Sequence, residues 1–184
     1  EVWSARKARI IGGPAIARDG HRIAFSIRQT GQTLLCVAKA DGTEARIVTR
    51  SLDLQGAPAW TPDGQAITIA AVVDGVPRLL NVPLDGRPPS GLVQEYSVDP
   101  LWSPDGDFVA FSGPDIGTTF EVKAVKADGS PYQLPRLTLT RGARRLSLMP
   151  GRRLVVLRGE IRHKNLWLID LASGVEQQLT DLAP

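Results

Sequence analysis

"APAWTPDG" at residues 57–64 and "VDPLWSPDG" at residues 98–106 use a tryptophan, a proline, an aspartate and a glycine in the same order twice. Pro-Asp-Gly alone is a tight turn, because proline presets φ and glycine tolerates φ > 0. A turn does not account for Trp60 and Trp102, which stand at one offset before Asp63-Gly64 and Asp105-Gly106. The repeating unit is therefore longer than a turn.

The rest of the chain keeps that unit. Turn glycines Gly20, Gly64, Gly106 and Gly151 lie 44, 42 and 45 residues apart. Three residues after each begins a β-prone triplet: Ile23-Ala24-Phe25, Ile67-Thr68-Ile69, Val109-Ala110-Phe111 and Leu154-Val155-Val156. A second set of turns, Asp41-Gly42, Asp85-Gly86, Asp128-Gly129 and Ser173-Gly174, keeps the same period. Short runs rich in Val, Ile, Phe and Thr between such turns are hairpin signals, and no segment carries a helical apolar stripe. Each unit reads as four short antiparallel strands. A four-stranded unit repeating every 40–45 residues is the period of a β-propeller blade, so the expected fold is all-β. Blades are expected at about 12–56, 57–98, 99–142 and 143–184, with residues 1–11 as the end of a preceding blade. One small sheet cannot bury both faces alone, and the tryptophans are expected to fill the wedge between neighbours.

Composition fits that reading. Apolar residues make up 42% and charged residues 22% of the 184, as in an ordinary globular chain rather than a disordered one. No apolar run approaches the length that crosses a bilayer, so no membrane insertion is expected. The start, "EVWSARKARI", carries neither an initiator methionine nor a signal-peptide pattern, as expected of a processed product or a segment of something larger. A net charge of +3 is too small to imply nucleic-acid binding. Cys36 is the single cysteine, which excludes an intrachain disulfide; within "LLCVA" it reads as a small buried hydrophobe.

The residues do not assemble an enzyme. Gly-x-Ser-x-Gly is absent, and the two histidines, His21 and His163, fall beside turns or loops. Phosphate-cradling glycine loops are missing, and two histidines without a cysteine cluster do not make a zinc site. The turn aspartates Asp19, Asp41, Asp63, Asp85, Asp105 and Asp128 stand one per turn, whereas calcium wants six to eight oxygens converging in one loop. No cofactor or metal is expected. The least bland stretch is Arg136 to Lys164, with nine basic residues against one acid, Glu160. Two readings stay open for it: charges solvated on the loops of one blade, or a surface for an anionic partner formed by Arg141, Arg144, Arg145, Arg152, Arg153, Arg158, Arg162 and Lys164. No aromatic interleaves these basics, so a nucleic-acid stacking platform is not supported.

The repeat resembles that of TolB-like, WD-repeat-like propellers. The third unit carries the resemblance best, through Pro100-Leu101-Trp102-Ser103-Pro104-Asp105-Gly106, Val109-Ala110-Phe111, Asp128-Gly129 and Leu137-Thr138. The second keeps Pro58, Trp60, Pro62-Asp63-Gly64 and Asp85-Gly86; the first has Ile16 in place of the tryptophan; the fourth, "LSLMPG", departs most. The resemblance implies an incomplete propeller, either a fragment or one protomer of an assembly, with a closed four-bladed ring as the alternative. It implies a non-catalytic module that binds a protein or small ligand within a larger bacterial protein. That protein would be an envelope protein, a Ser/Thr kinase sensor or a transcriptional regulator, with a periplasmic or extracytoplasmic setting favoured. The alternative it implies is part of the gating propeller of a prolyl-oligopeptidase-type serine peptidase.

Overall fold

The turns just described separate the first strand from the second and the third from the fourth in each repeat, while Thr30-Gly31, Asp74-Gly75 and Gly117-Thr118 close the middle hairpins of the first three. The computed structural model describes residues 8–140, 146–160 and 163–182, and among these there is no helix. The strands are β1 (Ala8–Ile16), β2 (Arg22–Gln29), β3 (Gln32–Lys39), β4 (Arg46–Thr49), β5 (Leu54–Trp60), β6 (Ala66–Val73), β7 (Val76–Pro83) and β8 (Ser90–Gly91). They continue as β9 (Val98–Trp102), β10 (Val109–Ile116), β11 (Thr119–Val125), β12 (Leu137–Thr140), β13 (Ser147–Met149), β14 (Arg153–Glu160), β15 (His163–Asp170) and β16 (Glu176–Gln178). Consecutive strands pair into four four-stranded antiparallel meanders: β1–β4, β5–β8, β9–β12 and β13–β16. The chain divides into two compact units, residues 1–100 and 101–184, with the divide inside β9.

The inner strands start earlier than the repeat phrase suggests. Ala8 already pairs with Gln29, and Leu54 with Ala71. Register shifts between Ile11 and Ala15, and between Gln55 and Ala59, let each strand continue upstream of its phrase. Each such bulge advances four residues along the inner strand for two on its partner, two extra, without ending the pairing. It begins at Gly12 and Gly56, both at positive φ, and a Cβ on Gly12 would meet the Gly56 carbonyl oxygen at 2.7 Å. Residues 8–11 thus belong to the first sheet; residues 1–7 lie outside the described residues.

Packing inside each unit follows from strand alternation. In the first sheet Ala24 opposes Val37 and Ser26 opposes Leu35, so these four share a face. That face lies in one core with Ile67, Ile69, Leu80 and Val82 of the second sheet. In the second unit Ala110 opposes Ala124 and Ser112 opposes Val122. Their face meets Leu154, Val156 and Ile169 of the fourth sheet, with Trp167 against them. In both pairs small residues on the earlier sheet receive large ones from the later sheet. Cys36 lies on the other face of the first sheet, and burial pushes its thiol up to about 11, which makes it an inert core residue.

Trp60 belongs to the first of these cores and is 7% exposed. Its indole N–H donates to the Ala15 carbonyl of the preceding inner strand at 3.1 Å. Arg22 covers the ring, with Cζ 4.7 Å from its centroid, and donates to the Gly64 carbonyl at 2.9 Å. The same guanidinium pairs with Asp19 at 3.0 Å. Gly64 is at φ +65, and a Cβ there would come within 2.5 Å of that guanidinium. Burying a side chain of this size contributes roughly 2–3 kcal/mol on area alone. Trp60→Ala is expected to destabilise the chain by about 3–5 kcal/mol in urea unfolding, because it leaves a cavity and an unpaired Ala15 carbonyl. Trp60→Phe, which keeps most of the area, should cost about a third of that.

The turn aspartates act as acceptors inside their own turns. The amides of His21, Thr43, Gln65, Arg87, Asp107, Ser130 and Ser173 donate to Asp19, Asp41, Asp63, Asp85, Asp105, Asp128 and Asp170. These bonds hold all seven carboxyls below the ordinary range. Hydroxyl donors lead at Asp41, Asp63, Asp105 and Asp128, and backbone amides lead at Asp19, Asp85 and Asp170. A carboxyl depressed in the folded state stabilises the fold above its unfolded pKa of about 4 and loses that effect as pH falls through the folded value. The urea midpoint should therefore fall as pH drops below about 4. Asp63→Asn with Asp105→Asn should flatten that dependence while leaving the fold intact at neutral pH; an unchanged acid limb would contradict the assignment.

Candidate functional site

At the turn-bearing end of the second unit the third and fourth sheets diverge around an open cleft of about 520 Å³. Phe108, Tyr132, Leu134, Pro135, Arg152 and Leu171 line it. Phe108, Tyr132 and Leu171 are placed by backbone hydrogen bonds of the turns. Phe108 closes the Ser103 to Phe108 turn: Ser103 N–H donates to the Phe108 carbonyl at 2.9 Å, and Phe108 N–H to the Ser103 hydroxyl at 3.1 Å. Tyr132 N–H donates to the Ala124 carbonyl at 3.0 Å, which lays its ring on Phe108 with centroids 4.4 Å apart and planes inclined by 23°. Leu171 N–H donates to the Arg152 carbonyl at 2.9 Å and brings the fourth sheet's two turns together.

Arg152 is the cation on the cleft wall. It follows Gly151, has φ +56, and reaches back across the sheet junction to pair with Asp107 at 3.2 Å. Its Cζ lies 5.8 Å from the Tyr132 ring centroid. Asp107 offsets its charge, and the part-exposed Tyr132, backed by the fully buried Phe108, is the aromatic surface of a cleft lined by polar and apolar groups alike. That arrangement suits an apolar side chain with a few polar contacts around it. The Ser173 hydroxyl donates to Asp170 at 2.8 Å and so shapes its turn. Among the described residues no three His, Cys, Asp or Glu side chains gather to hold a metal. No helix among them is long and apolar enough to cross a membrane.

The described basic candidates, Arg152, Arg153, Arg158 and Lys164, are spread over the fourth sheet and the turn before β14. Arg141, Arg144, Arg145 and Arg162 lie outside the described residues. Arg152 pairs with Asp107, Arg158 pairs with Glu176, and Arg153 donates through Nε to the Pro150 carbonyl at 3.1 Å. Arg153 and Arg158 are five residues apart on β14, about 17 Å along a strand. Lys164 lies near the Arg158 end, opposite Gly159. Among the described candidates only Arg152 lines the cleft. Sequence reasoning missed Phe108 and Tyr132. The signal was Tyr132 itself, an aromatic three residues after Gly129, where the first two repeats have Ala45 and Pro89 at that offset.

Meanders of four antiparallel strands that pack face to face at this period define a β-propeller. The sequence matches the TolB beta propeller domain family over residues 3–183, and the chain belongs to that family. Among solved structures it is similar to TolB from Acinetobacter baumannii, with TM-score 0.73 and 21% identity over 100% of this chain and 46% of that one. It is similar to a putative TolB from Agrobacterium tumefaciens, with TM-score 0.76 and 22% identity over 94% of this chain and 66% of that one. The β-propeller domain of the Trilobed protease from Pyrococcus furiosus gives TM-score 0.66 and 13% identity over 96% of this chain and 58% of that one. The chain spans less than two thirds of each, and at these identities the likeness is one of fold.

The two contacts to Tyr132 should separate on mutation. Tyr132→Ala loses the stack on Phe108 and should destabilise by about 1–2 kcal/mol. Arg152→Ala removes a half-exposed ion pair and should change stability by less than about 1 kcal/mol. Urea unfolding of the two variants measures both.

Proposed function

We propose that the chain is a non-catalytic protein-binding module that takes an extended segment of a protein partner on its turn-bearing end, within a larger bacterial protein in an extracytoplasmic setting. The supporting observation is the cleft floored by Tyr132, which stacks on the buried Phe108 among turn loops whose polar groups already hold the turns. Loops on a rigid sheet scaffold are where binding residues concentrate. An apolar or aromatic side chain of the segment would sit on Tyr132, with its backbone beside Arg152. Selection of displayed peptides on the immobilised chain tests this. Recovered sequences should carry an apolar anchor and lose binding by about tenfold or more to Tyr132→Ala, with a smaller loss to Arg152→Ala. Binders indifferent to Tyr132→Ala would remove the cleft from the proposal.

The similarity to the propeller of the Trilobed protease supports a second reading, a gating propeller beside a peptidase domain. Its mark would be a Gly-x-Ser-x-Gly elbow encoded next to this segment, whereas kinase, winged-helix or envelope-protein sequence there would favour the first.

A further inference from the structure

The hairpin end of the first unit gathers hydrogen-bond donors that lack acceptors among the described residues. Register sets Arg9 of β1 directly opposite Arg28 of β2, and Arg28 opposite Thr33 of β3. Like charges directly opposite in an antiparallel pair destabilise it. Both arginines are exposed, and among the described residues neither makes a hydrogen bond or an ion pair. Strand alternation puts Arg28 on the same face as Ala24 and Ser26, the face packed on the second sheet. One row inward from Arg28, Ser26 is fully buried and its hydroxyl has no hydrogen-bond partner.

The second sheet adds to this end of the junction. Arg78 of β7 opposes Ala71, and Ala71 belongs to the core shared with the first sheet, so Arg78 is on the face turned to that sheet. Counted from their turn glycines, Arg28 and Ala71 stand eight and seven residues on, so the two rows lie at matching distances from the turn-bearing end. The Arg78 Nε is buried and has no partner. Asp74, on the hairpin tip, approaches only Nη1, at 3.7 Å, and is itself 85% exposed. Asp53, just before β5, accepts from Gln55 Nε2 at 3.5 Å. At the place of Arg28 the later repeats have Val72, Pro114 and Gly159, so the pair of arginines is particular to the first sheet.

Guanidinium groups take oxyanions through paired N–H bonds, and side chains directly opposite on one face stand about 4.5–5.5 Å apart at Cβ. One tetrahedral group can thus be shared between Arg9 and Arg28. A carboxylate brings one charge and two oxygens, whereas a phosphate monoester brings a charge of about −1.5 to −2 and three acceptor oxygens. Two facing guanidinium groups with further donors behind them match the second. We infer that the hairpin end of the first unit binds a phosphate group, free or carried as a monoester by a small molecule. Binding would relieve the Arg9–Arg28 repulsion, so the residues that hold the ligand cost stability without it. The site is separate from the cleft of the second unit and does not depend on its role.

Calorimetric titration of the 184-residue chain with inorganic phosphate, at low ionic strength to limit screening, should show one site per chain, and acetate should show none. Phenyl phosphate in the same titration separates the sources: binding of inorganic phosphate alone marks a free-ion site, binding of both marks one for monoesters, and either supports the inference. Arg28→Gln and, separately, Arg9→Gln should weaken phosphate binding by about tenfold or more. Each should also unfold at a higher urea concentration than the unsubstituted chain in phosphate-free buffer, which a misfolded variant would not do. Arg87→Gln, which alters an exposed turn arginine, should bind phosphate as the unsubstituted chain does. No phosphate binding up to about 10 mM, equal binding of acetate, unchanged binding in both arginine variants, a lower urea midpoint in both, or an equal loss in Arg87→Gln would each overturn the inference.

Discussion

The constraint on which the rest depends is a pair of small residues on the second strand of the earlier sheet in each unit, set among larger neighbours such as Leu35, Val37 and Val122. Ala24 and Ser26 leave room that Trp60, Ile67 and Ile69 fill; Ala110 and Ser112 do the same for Leu154 and Val156. Interiors are close-packed, so small-against-large is the arrangement that lets two twisted sheets approach without voids. Sheets of this size cannot bury both faces alone, and each becomes stable only through its neighbour. The Trp60 bond to the Ala15 carbonyl and the Arg22 cover fix the position of the second sheet's tryptophan against the first.

Local and non-local forces are divided cleanly in this chain. Turns are set by short-range bonds that the amide two residues on donates to the aspartate, which need no neighbouring sheet. The sheet junctions are set by apolar volume and by a few arginines that cross them: Arg22 to Gly64, Arg46 to Leu84 and Arg152 to Asp107. Those crossings gather at the turn-bearing ends. In the first unit Arg22 closes that end over Trp60, whereas in the second Arg152 stands at the side of an open cleft.

This division explains what could be read in the sequence. Fold class and strand order were legible because Pro-Asp-Gly turns and β-prone triplets are local signals and recur at fixed spacing. The true starts of β1 and β5 were hidden, since a bulge at Gly12 or Gly56 leaves no mark in apolar patterning. The cleft was hidden for a different reason: Phe108 and Tyr132 are 24 residues apart and meet only after β10 and β11 have paired. Charge density pointed instead to the basic stretch, whose described members lie at different ends of β14 and engage different partners.

Because every sheet is a meander of consecutive strands, nearly all its hydrogen-bonded partners lie within about one repeat of each other. Short loops close quickly, so each meander can begin to order before its neighbours are in place. Within each unit the later sheet then docks its large face on the small face already present. Such a chain can emerge from the ribosome one repeat at a time, with its newest large face the surface most in need of protection until that docking step.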